Sequence, residues 1–183
     1  MHMHHGKSSL ATSAALGLGV GLLANVARKV AMQTPTAMAK DWVEALAAEH
    51  KAALKIFDAL EKTADDEAGK RTTLLSHLKH AIGKHAFEEE NTIYPALRDH
   101  GLAPSEAELT REHADVKHFL FRLTEMKRSD PQWLPTLREL RGAIEAHMTE
   151  EEKVIFPQLR NKLSEEENHA LAKAMNKEGF KLA

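Results

Sequence analysis

The chain of 183 residues contains no cysteine, which excludes disulfide frameworks, thiolate zinc sites, iron–sulfur clusters and cysteine nucleophiles. Any metal in this protein must therefore be bound by nitrogen and oxygen atoms. Aromatic residues are scarce as well, at 5% of the chain, and β-branched residues are few, which disfavours a β-sheet. The abundant alanine, leucine, glutamate and lysine favour helices instead.

An excess of either charge sign is also missing. The 25 basic and 27 acidic residues leave a formal net charge of −2, which is too weak a field to attract nucleic acid. We therefore expect no nucleic-acid partner. The residue type that stands out is histidine, with 12 copies, and the interpretation depends on where these histidines lie relative to the apolar helix faces.

The N-terminal part of the chain is apolar but poorly suited to crossing a membrane. Residues 8–27 carry no charged side chain and have about the length of a membrane span, but serine, threonine, asparagine and glycine dilute their hydrophobicity. Residues 1–35 are expected to form a tail with an apolar, glycine-rich helix. Membrane association and self-association through residues 8–31 remain alternatives, in a protein otherwise expected in the cytoplasm.

Apolar residues recur every three to four positions in four long segments, a pattern that predicts amphipathic helices. Short loops between such helices imply antiparallel neighbours. The expected fold is therefore all-α: an up-down-up-down four-helix bundle over residues 36–163, with a short C-terminal helix packed on it over residues 164–183. The four predicted bundle helices cover about residues 38–63, 71–99, 105–123 and 135–162.

Local signals place three of the helix boundaries. Gly101 is expected to end the second helix. Ser105 and Glu108 form a capping-box pattern that predicts the start of the third helix, and Ser164 and Glu167 form the same pattern at the start of the fifth.

Histidines interrupt the apolar stripe of every bundle helix. His50 lies four residues after Leu46, on the face meant for the core, and the other three helices repeat this placement. On two helices a glutamate follows the histidine by four residues, which is one turn later. The six candidate inward-facing polar residues are His50, His85, Glu89, His113, His147 and Glu151.

The chain contains an internal repeat built around these residues. Residues 85–97, HAFEEENTIYPAL, align without a gap with residues 147–159, HMTEEEKVIFPQL. The shared pattern predicts two helical hairpins related by a pseudo-two-fold axis, which would bring the six polar side chains together at mid-bundle. Pro95 and Pro157 follow their histidines by ten residues and are expected to kink or end their helices.

Such a polar cluster needs compensation, because an unpaired buried polar group costs about 1–3 kcal/mol. The side chains could pair with one another as a structural network, but bound cations compensate better. Two metal ions, each with two histidines and bridged by both glutamates, use all six groups. Neither the E-x-x-H pairs of ferritin-like di-iron sites nor the H-E-x-x-H motif of zinc proteases occurs at these histidines.

The spaced motif resembles the hemerythrin-like HHE cation-binding domains over about residues 40–162. The resemblance is carried by His50, by His85 with Glu89 and the following Ile-Tyr-Pro, by His113, and by His147 with Glu151 and Ile-Phe-Pro. It implies two iron ions with an oxo or hydroxo bridge, manganese and zinc being less suitable. By this resemblance His50 and His85 would bind one iron, His113 and His147 the other, and Glu89 and Glu151 would bridge both.

The sequence departs from the oxygen-carrying hemerythrins at two positions. Those proteins have a second histidine four residues after the one on the third helix, where this chain has Lys117. They also have an aspartate five residues after the last histidine, where this chain has Glu151 at four. The resemblance then implies that one iron has fewer protein ligands, with water or another group completing it, which argues against reversible oxygen storage.

The expected function is to bind or sense a small ligand, namely O2, NO or peroxide, at a carboxylate-bridged di-iron centre. One alternative is an enzyme that removes peroxide or another small oxidant. The sequence designates no general acid or base beyond the ligands, so no catalytic residue is predicted. The other alternative is an iron-dependent interaction or iron-handling module.

Overall fold

The computed structural model describes residues 41–182. The expectations for residues 1–35, and for association through residues 8–31, lie outside this range. Within the described range, no helix is both long enough and apolar enough to cross a membrane.

Five helices and no strand make up residues 41–182. Three of them are uninterrupted α-helices, whereas α2 and α4 each contain one turn of π-helix between two α-helical stretches. The C-terminal helix, expected to be short, is 18 residues long, because Leu171, Ala172 and Met175 extend its packing against the bundle. The helices are α1 (Trp42–Glu61), α2 (Ala68–Glu88, Glu89–Ile93 and Tyr94–Asp99), α3 (Ala103–Glu125), α4 (Trp133–Glu150, Glu151–Ile155 and Phe156–Lys162) and α5 (Glu165–Leu182).

The bundle core consists of two apolar clusters with the histidine positions between them. α1 contributes residues 42–46 to one cluster and residues 53–60 to the other, with His50 in between. α2 passes through the clusters in the opposite order, and α3 and α4 continue the alternation. The helices therefore run up, down, up and down, and contacts of α1 with α2 and α4, and of α3 with the same two helices, close the bundle.

The π-helical turns keep the repeated motif on one face of α2 and α4. In the first repeat, buried residues follow at strict four-residue spacing from His85 to Leu97, whereas each such step on an α-helix rotates by about 40°. In the π turn of α2, the N–H of Tyr94 bonds the carbonyl of Glu89, five residues back, and α4 repeats this bond. The wider turn takes up the rotation, so the ligand positions and the apolar residues after them all face the core.

Pro95 and Pro157 do not end their helices, because α2 and α4 continue to Asp99 and Lys162. A proline has no N–H, and its ring clashes with the carbonyl four residues back in a regular α-helix. Each proline is the second residue after a π turn and lies in the first turn of the following α-helical stretch. The expectation that the prolines end their helices is therefore wrong.

Two of the three predicted boundaries are confirmed. Gly101 has a φ of 76°, and the N–H of Leu102 bonds the carbonyl of Leu97, which is a Schellman ending. At the start of α5, the Ser164 N–H donates to the Glu167 carboxylate and the Glu167 N–H donates to the Ser164 hydroxyl.

The third boundary prediction, a capping box at Ser105 and Glu108, is wrong. α3 begins at Ala103, and its N-cap residue Leu102 makes no side-chain capping bond. Pro104 explains the earlier start, because proline suits the first helical turn, where backbone N–H groups have no partner within the helix.

Met175 anchors α5 in the cluster that contains Tyr94 and Phe156, and its side chain is fully buried. Met175→Ala is expected to lower the free energy of unfolding by about 2–5 kcal/mol, because it leaves a cavity in that cluster. Urea denaturation followed by circular dichroism measures this change. Lys173→Ala, at an exposed position of the same helix, is the matched control and should change stability by less than about 0.5 kcal/mol. Equal stability of the two variants would contradict a structural role for α5.

Candidate metal centre

The six candidate ligands lie in one buried layer between the two apolar clusters. α1 and α3 each supply one histidine, whereas α2 and α4 each supply a histidine and the glutamate at the start of the π turn. None of the six is more than 8% exposed, and both glutamates are fully buried. The structure therefore brings together all the residues that the sequence singled out: His50, His85, Glu89, His113, His147 and Glu151.

The six side chains form two overlapping groups that could each hold a metal ion. One group is His50 and His85 with both glutamates, the other is His113 and His147 with the same glutamates, and within each group the ligand atoms lie within 4.8 Å of one another. Two buried groups that share two carboxylates have the donor arrangement of a binuclear site.

Each shared glutamate contacts two histidines, one from each group. Glu89 Oε2 lies 3.2 Å from His85 Nε2 and 3.4 Å from His113 Nε2. Glu151 lies 3.4 Å from His50 Nε2 and 3.2 Å from His147 Nε2. The contacts therefore follow the pseudo-two-fold axis that the sequence repeat predicts.

Every histidine also has a carboxylate partner on its outer nitrogen. The carboxylate accepts the Nδ1 proton, so Nε2, the nitrogen nearer the shared glutamates, is the atom that would bind a metal once it carries no proton. Each partner comes from a neighbouring helix. The pairs are His50 with Glu152 at 2.7 Å, His85 with Glu49 at 3.1 Å, His113 with Glu90 at 3.0 Å and His147 with Glu112 at 2.7 Å.

Sequence reasoning identified only part of this outer layer. Glu90 and Glu152 directly follow the predicted ligands Glu89 and Glu151, but this spacing alone does not distinguish a solvent-exposed carboxylate from a histidine partner. Glu49 and Glu112 were missed as histidine partners. The available signal was the repeated Glu-His dipeptide of α1 and α3, in which the glutamate pairs with the histidine of the next helix rather than with its own neighbour.

Glu88 and Glu150, at equivalent positions of the two repeats, have different surroundings. Glu150 is exposed. Glu88 is fully buried and receives a hydrogen bond from Lys84 Nζ at 2.8 Å, while burial and the neighbouring Glu49 raise its pKa to about 8. Because Lys84 also contacts Glu49, this buried lysine supports the carboxylate that orients His85. No sequence pattern pointed to this lysine.

Tyr94 breaks the symmetry of the centre. Its hydroxyl lies 3.0 Å from His113 Nε2, whereas the second repeat has Phe156, whose ring stacks on His50 at 6.4 Å between centroids. Burial and the surrounding carboxylates raise the pKa of Tyr94 above its ordinary value, so the hydroxyl keeps its proton. The two halves of the site are therefore chemically different.

Lys117, which occupies the position of an additional histidine in the oxygen carriers, lies outside the inner layer. Its side chain is 60% exposed, and its Nζ donates to Glu90 Oε1 at 2.7 Å. Glu90 in turn accepts from His113. Lys117 thus holds an outer carboxylate in place and adds no donor to the inner layer.

The inner donor atoms suit metal ions because the surrounding side chains provide these buried atoms with poor hydrogen bonding. Among residues 41–182, both carboxylate oxygens of Glu89 and of Glu151, together with His147 Nε2, are buried without an aligned hydrogen bond, and the two carboxylates have only the contacts of 3.2–3.4 Å to the candidate histidines. Buried carboxylates without hydrogen bonds are strongly destabilising. Cations coordinated by these atoms would remove the penalty.

Charge pairing sets the protonation of the protein side chains in this layer. Burial opposes the charged form of His147, but the Glu151 carboxylate 3.2 Å away outweighs it and raises the pKa to about 9. Burial likewise opposes the charge of His85, yet Glu89 raises that pKa well above the ordinary value. Despite its burial, Glu89 has a pKa held well below the ordinary value by His85. Metal binding must therefore release protons from both histidines.

Comparison with known proteins assigns the fold and site to a family. A family model, the Hemerythrin HHE cation binding domain, matches residues 41–178. The chain belongs to this family. A hemerythrin-like protein of Schizosaccharomyces pombe, itself uncharacterized, is 31% identical over 100 residues, which are 52% of this chain and 49% of that protein.

A DNA nickase of Nostoc sp. strain PCC 7120 is 30% identical over 88 residues, 48% of this HHE chain and 25% of the nickase. The chain therefore matches half or less of the length of each of these curated relatives. No solved structure matches the chain significantly.

The protonation of His147 predicts how stability depends on pH when the HHE domain is stripped of metal. The pKa of His147 is about 9 in the folded protein, against 6.5 in an unfolded chain. Protonation of this histidine therefore stabilises the folded state fully below pH 6.5, and the stabilisation is lost as the pH rises through 9. The melting temperature of the chelator-treated protein should therefore fall from pH 6.5 to pH 9.

Protein loaded with metal is the control, because cations replace the protons and should flatten this dependence. Differential scanning calorimetry measures both forms. A melting temperature of the stripped protein that rises across this interval would contradict the assigned protonation.

Removal of a shared glutamate should weaken both metal positions. We expect Glu151→Ala to lose about half or more of the bound metal and to melt several degrees lower, because the remaining buried donors are left uncompensated. The neighbouring Glu150→Ala, at an exposed position, should retain the wild-type metal content. Elemental analysis after gel filtration makes the comparison, and equal metal content in the two variants would refute the ligand assignment.

Proposed function

We propose that this protein holds two iron ions in the six-donor layer and uses them to bind or sense a small ligand such as O2, NO or peroxide. The observation that supports the proposal most strongly is the pair of buried donor groups that share both glutamates. Imidazole and carboxylate donors suit iron and manganese, and six donors exceed the four that a single zinc ion takes.

The donor set divides between the two ions in a defined way. His50 and His85 would hold one iron, His113 and His147 the other, and Glu89 and Glu151 would bridge the two. Bound in this way, iron would supply a redox-active and Lewis-acidic position for a small molecule. Lys117 is turned away to Glu90, so the protein donors to each ion would be two imidazoles and the two shared carboxylates.

The protein itself controls what surrounds these ions. The outer carboxylates hold the imidazole rings in the orientation that presents Nε2 inward. The Tyr94 hydroxyl offers a hydrogen bond at the His113 side of the layer. Apolar residues line the small cavity beside the histidines and exclude bulk water, among them Ala53, Val116 and Ile144.

Ligand binding is preferred to turnover because the cavity presents no separate acid or base. Its titratable lining consists of the four histidines and Glu49, which pairs with His85. An enzyme that consumes peroxide remains the alternative that the same experiment distinguishes. The nickase activity of the Nostoc relative is not proposed for this chain, whose net charge of −2 offers no field for DNA.

The proposal is tested with iron-loaded protein titrated with azide and, anaerobically, with nitric oxide. Each probe should produce a saturable change in the optical spectrum, and added peroxide should be consumed only stoichiometrically. Absence of a spectral change at full iron content would contradict ligand binding. Continuous consumption of peroxide would replace the proposal with the enzyme.

Tyr94→Phe makes the first repeat match the second and provides a sharper test. Iron content should remain unchanged, because the six donors are intact. Loss of the hydroxyl should weaken azide affinity about fivefold, since one hydrogen bond contributes about 1 kcal/mol. The equivalent change on the other half, Phe156→Tyr, is the comparison variant. An unchanged azide affinity in Tyr94→Phe would exclude Tyr94 from the ligand environment.

A further inference from the structure

A groove on the surface between α1 and α4 leads towards the histidine layer. It has a volume of about 380 Å³, and its floor includes His50 and Met148. Two lysines and two glutamates line it, Lys51, Lys153, Glu145 and Glu152, so their charges balance. This mouth gives no electrostatic preference to a cation or an anion.

A second space lies inside the bundle, directly against the histidines. Its volume is about 30 Å³, which is room for about two water molecules or one diatomic molecule. Ala53, Ala81 and Val116 contribute apolar walls, and all four candidate histidine ligands face it.

Among the residues that the structure describes, only His50 and Met148 line both the groove and the cavity. His50 is fixed at both ends of its ring, with Nδ1 2.7 Å from Glu152 and Nε2 3.0 Å from His85. Met148 is 7% exposed, and its unbranched side chain has three rotatable bonds and no strong polar group to hold it. Of these two shared residues, Met148 is the one whose side chain can move.

We propose that Met148 is the gate of an entry route, running from the groove to the cavity, for uncharged molecules of two or three heavy atoms. The route rests on the proposed function, because the cavity is useful only if the histidines hold a reactive centre. The balanced charges of the mouth and the apolar cavity walls favour neutral molecules over ions. The cavity volume sets the upper limit on size.

The two repeats differ at this position. Ala86 is the counterpart of Met148 in the first repeat, one residue after its histidine, and it lines the same cavity. The second repeat therefore places a long, flexible side chain where the first has a methyl group. This difference gives the cavity a movable wall on the side of the α1–α4 groove.

A single introduced thiol measures the route without requiring any chemistry of the metals. The chain has no cysteine, so Val116→Cys places a reporter in the cavity wall, and its metal content is compared with wild type. Its rate of oxidation is followed in chelator-treated protein with hydrogen peroxide, which is neutral and has two heavy atoms, and its rate of labelling is followed with Ellman's reagent, which is bulky and doubly charged.

Adding Met148→Ala to the Val116→Cys variant should make the thiol react about tenfold faster with the small reagent and leave its reaction with the bulky reagent slow. The substitution removes only the local barrier at the gate. Met126→Ala, at a partly buried methionine packed against the same apolar cluster, is the matched control and should change neither rate. Equal acceleration of both reagents, acceleration by the control, or no acceleration at all would overturn the gate.

Met148→Leu provides a second variant that conserves volume and therefore folds. Its shorter, branched side chain moves less freely, so oxidation by the small reagent should slow severalfold, and an unchanged rate would contradict the gate. In iron-loaded protein, Met148→Ala should raise the association and dissociation rates of nitric oxide together and leave Kd unchanged. A changed Kd with unchanged rates of association would show that Met148 shapes the bound state and is not a gate.

If nitric oxide does not bind while the thiol reaction rates behave as expected, the proposed function fails and the route stands. If nitric oxide binds and the thiol reaction rates do not respond to Met148, the route fails and the function stands.

Discussion

The structure depends on one electrostatic constraint: four imidazoles and two carboxylates lie in the middle of an apolar bundle, where bare carboxylate oxygens are strongly destabilising. The rest of the architecture serves this layer. The apolar clusters on either side of it supply the hydrophobic stabilisation that the layer lacks. The outer glutamates fix the orientation of each ring. Cations held between the two carboxylates would complete the balance, and the membership of the chain in a cation-binding family agrees with that requirement.

Much of this arrangement was accessible from the sequence because its signals are local and repeated. Helical periodicity located the bundle helices, and His50 or Glu89 could be recognised because each replaces an apolar residue on a core stripe. The outer carboxylates were harder, since Glu49 pairs with a histidine on another helix, and helix packing is not visible in one-dimensional spacing. The π turns were not predicted, because residues at strict four-residue spacing look like an ordinary helical stripe. On an α-helix each such step rotates by about 40°, so the need for a wider turn becomes apparent only over several turns.

Several residues around the site depart from the two-fold symmetry of the repeat, and these departures bear on the proposed function. Tyr94 faces His113 where the other half has Phe156, which gives the two metal positions different surroundings. Met148 replaces the alanine of the first repeat beside the cavity, and buried Lys84 supports only one of the histidine partners. The proposed ligand-binding centre would use two of these differences, Tyr94 beside one metal position and Met148 beside the cavity.

The most direct test of the central claim is an anomalous difference map, measured at the iron absorption edge, from crystals of the aerobically purified protein. The account predicts two peaks at mid-bundle, one between His50 and His85, the other between His113 and His147, with Glu89 and Glu151 touching both. A single peak, or metal bound elsewhere while these six side chains bond only to one another, would contradict it.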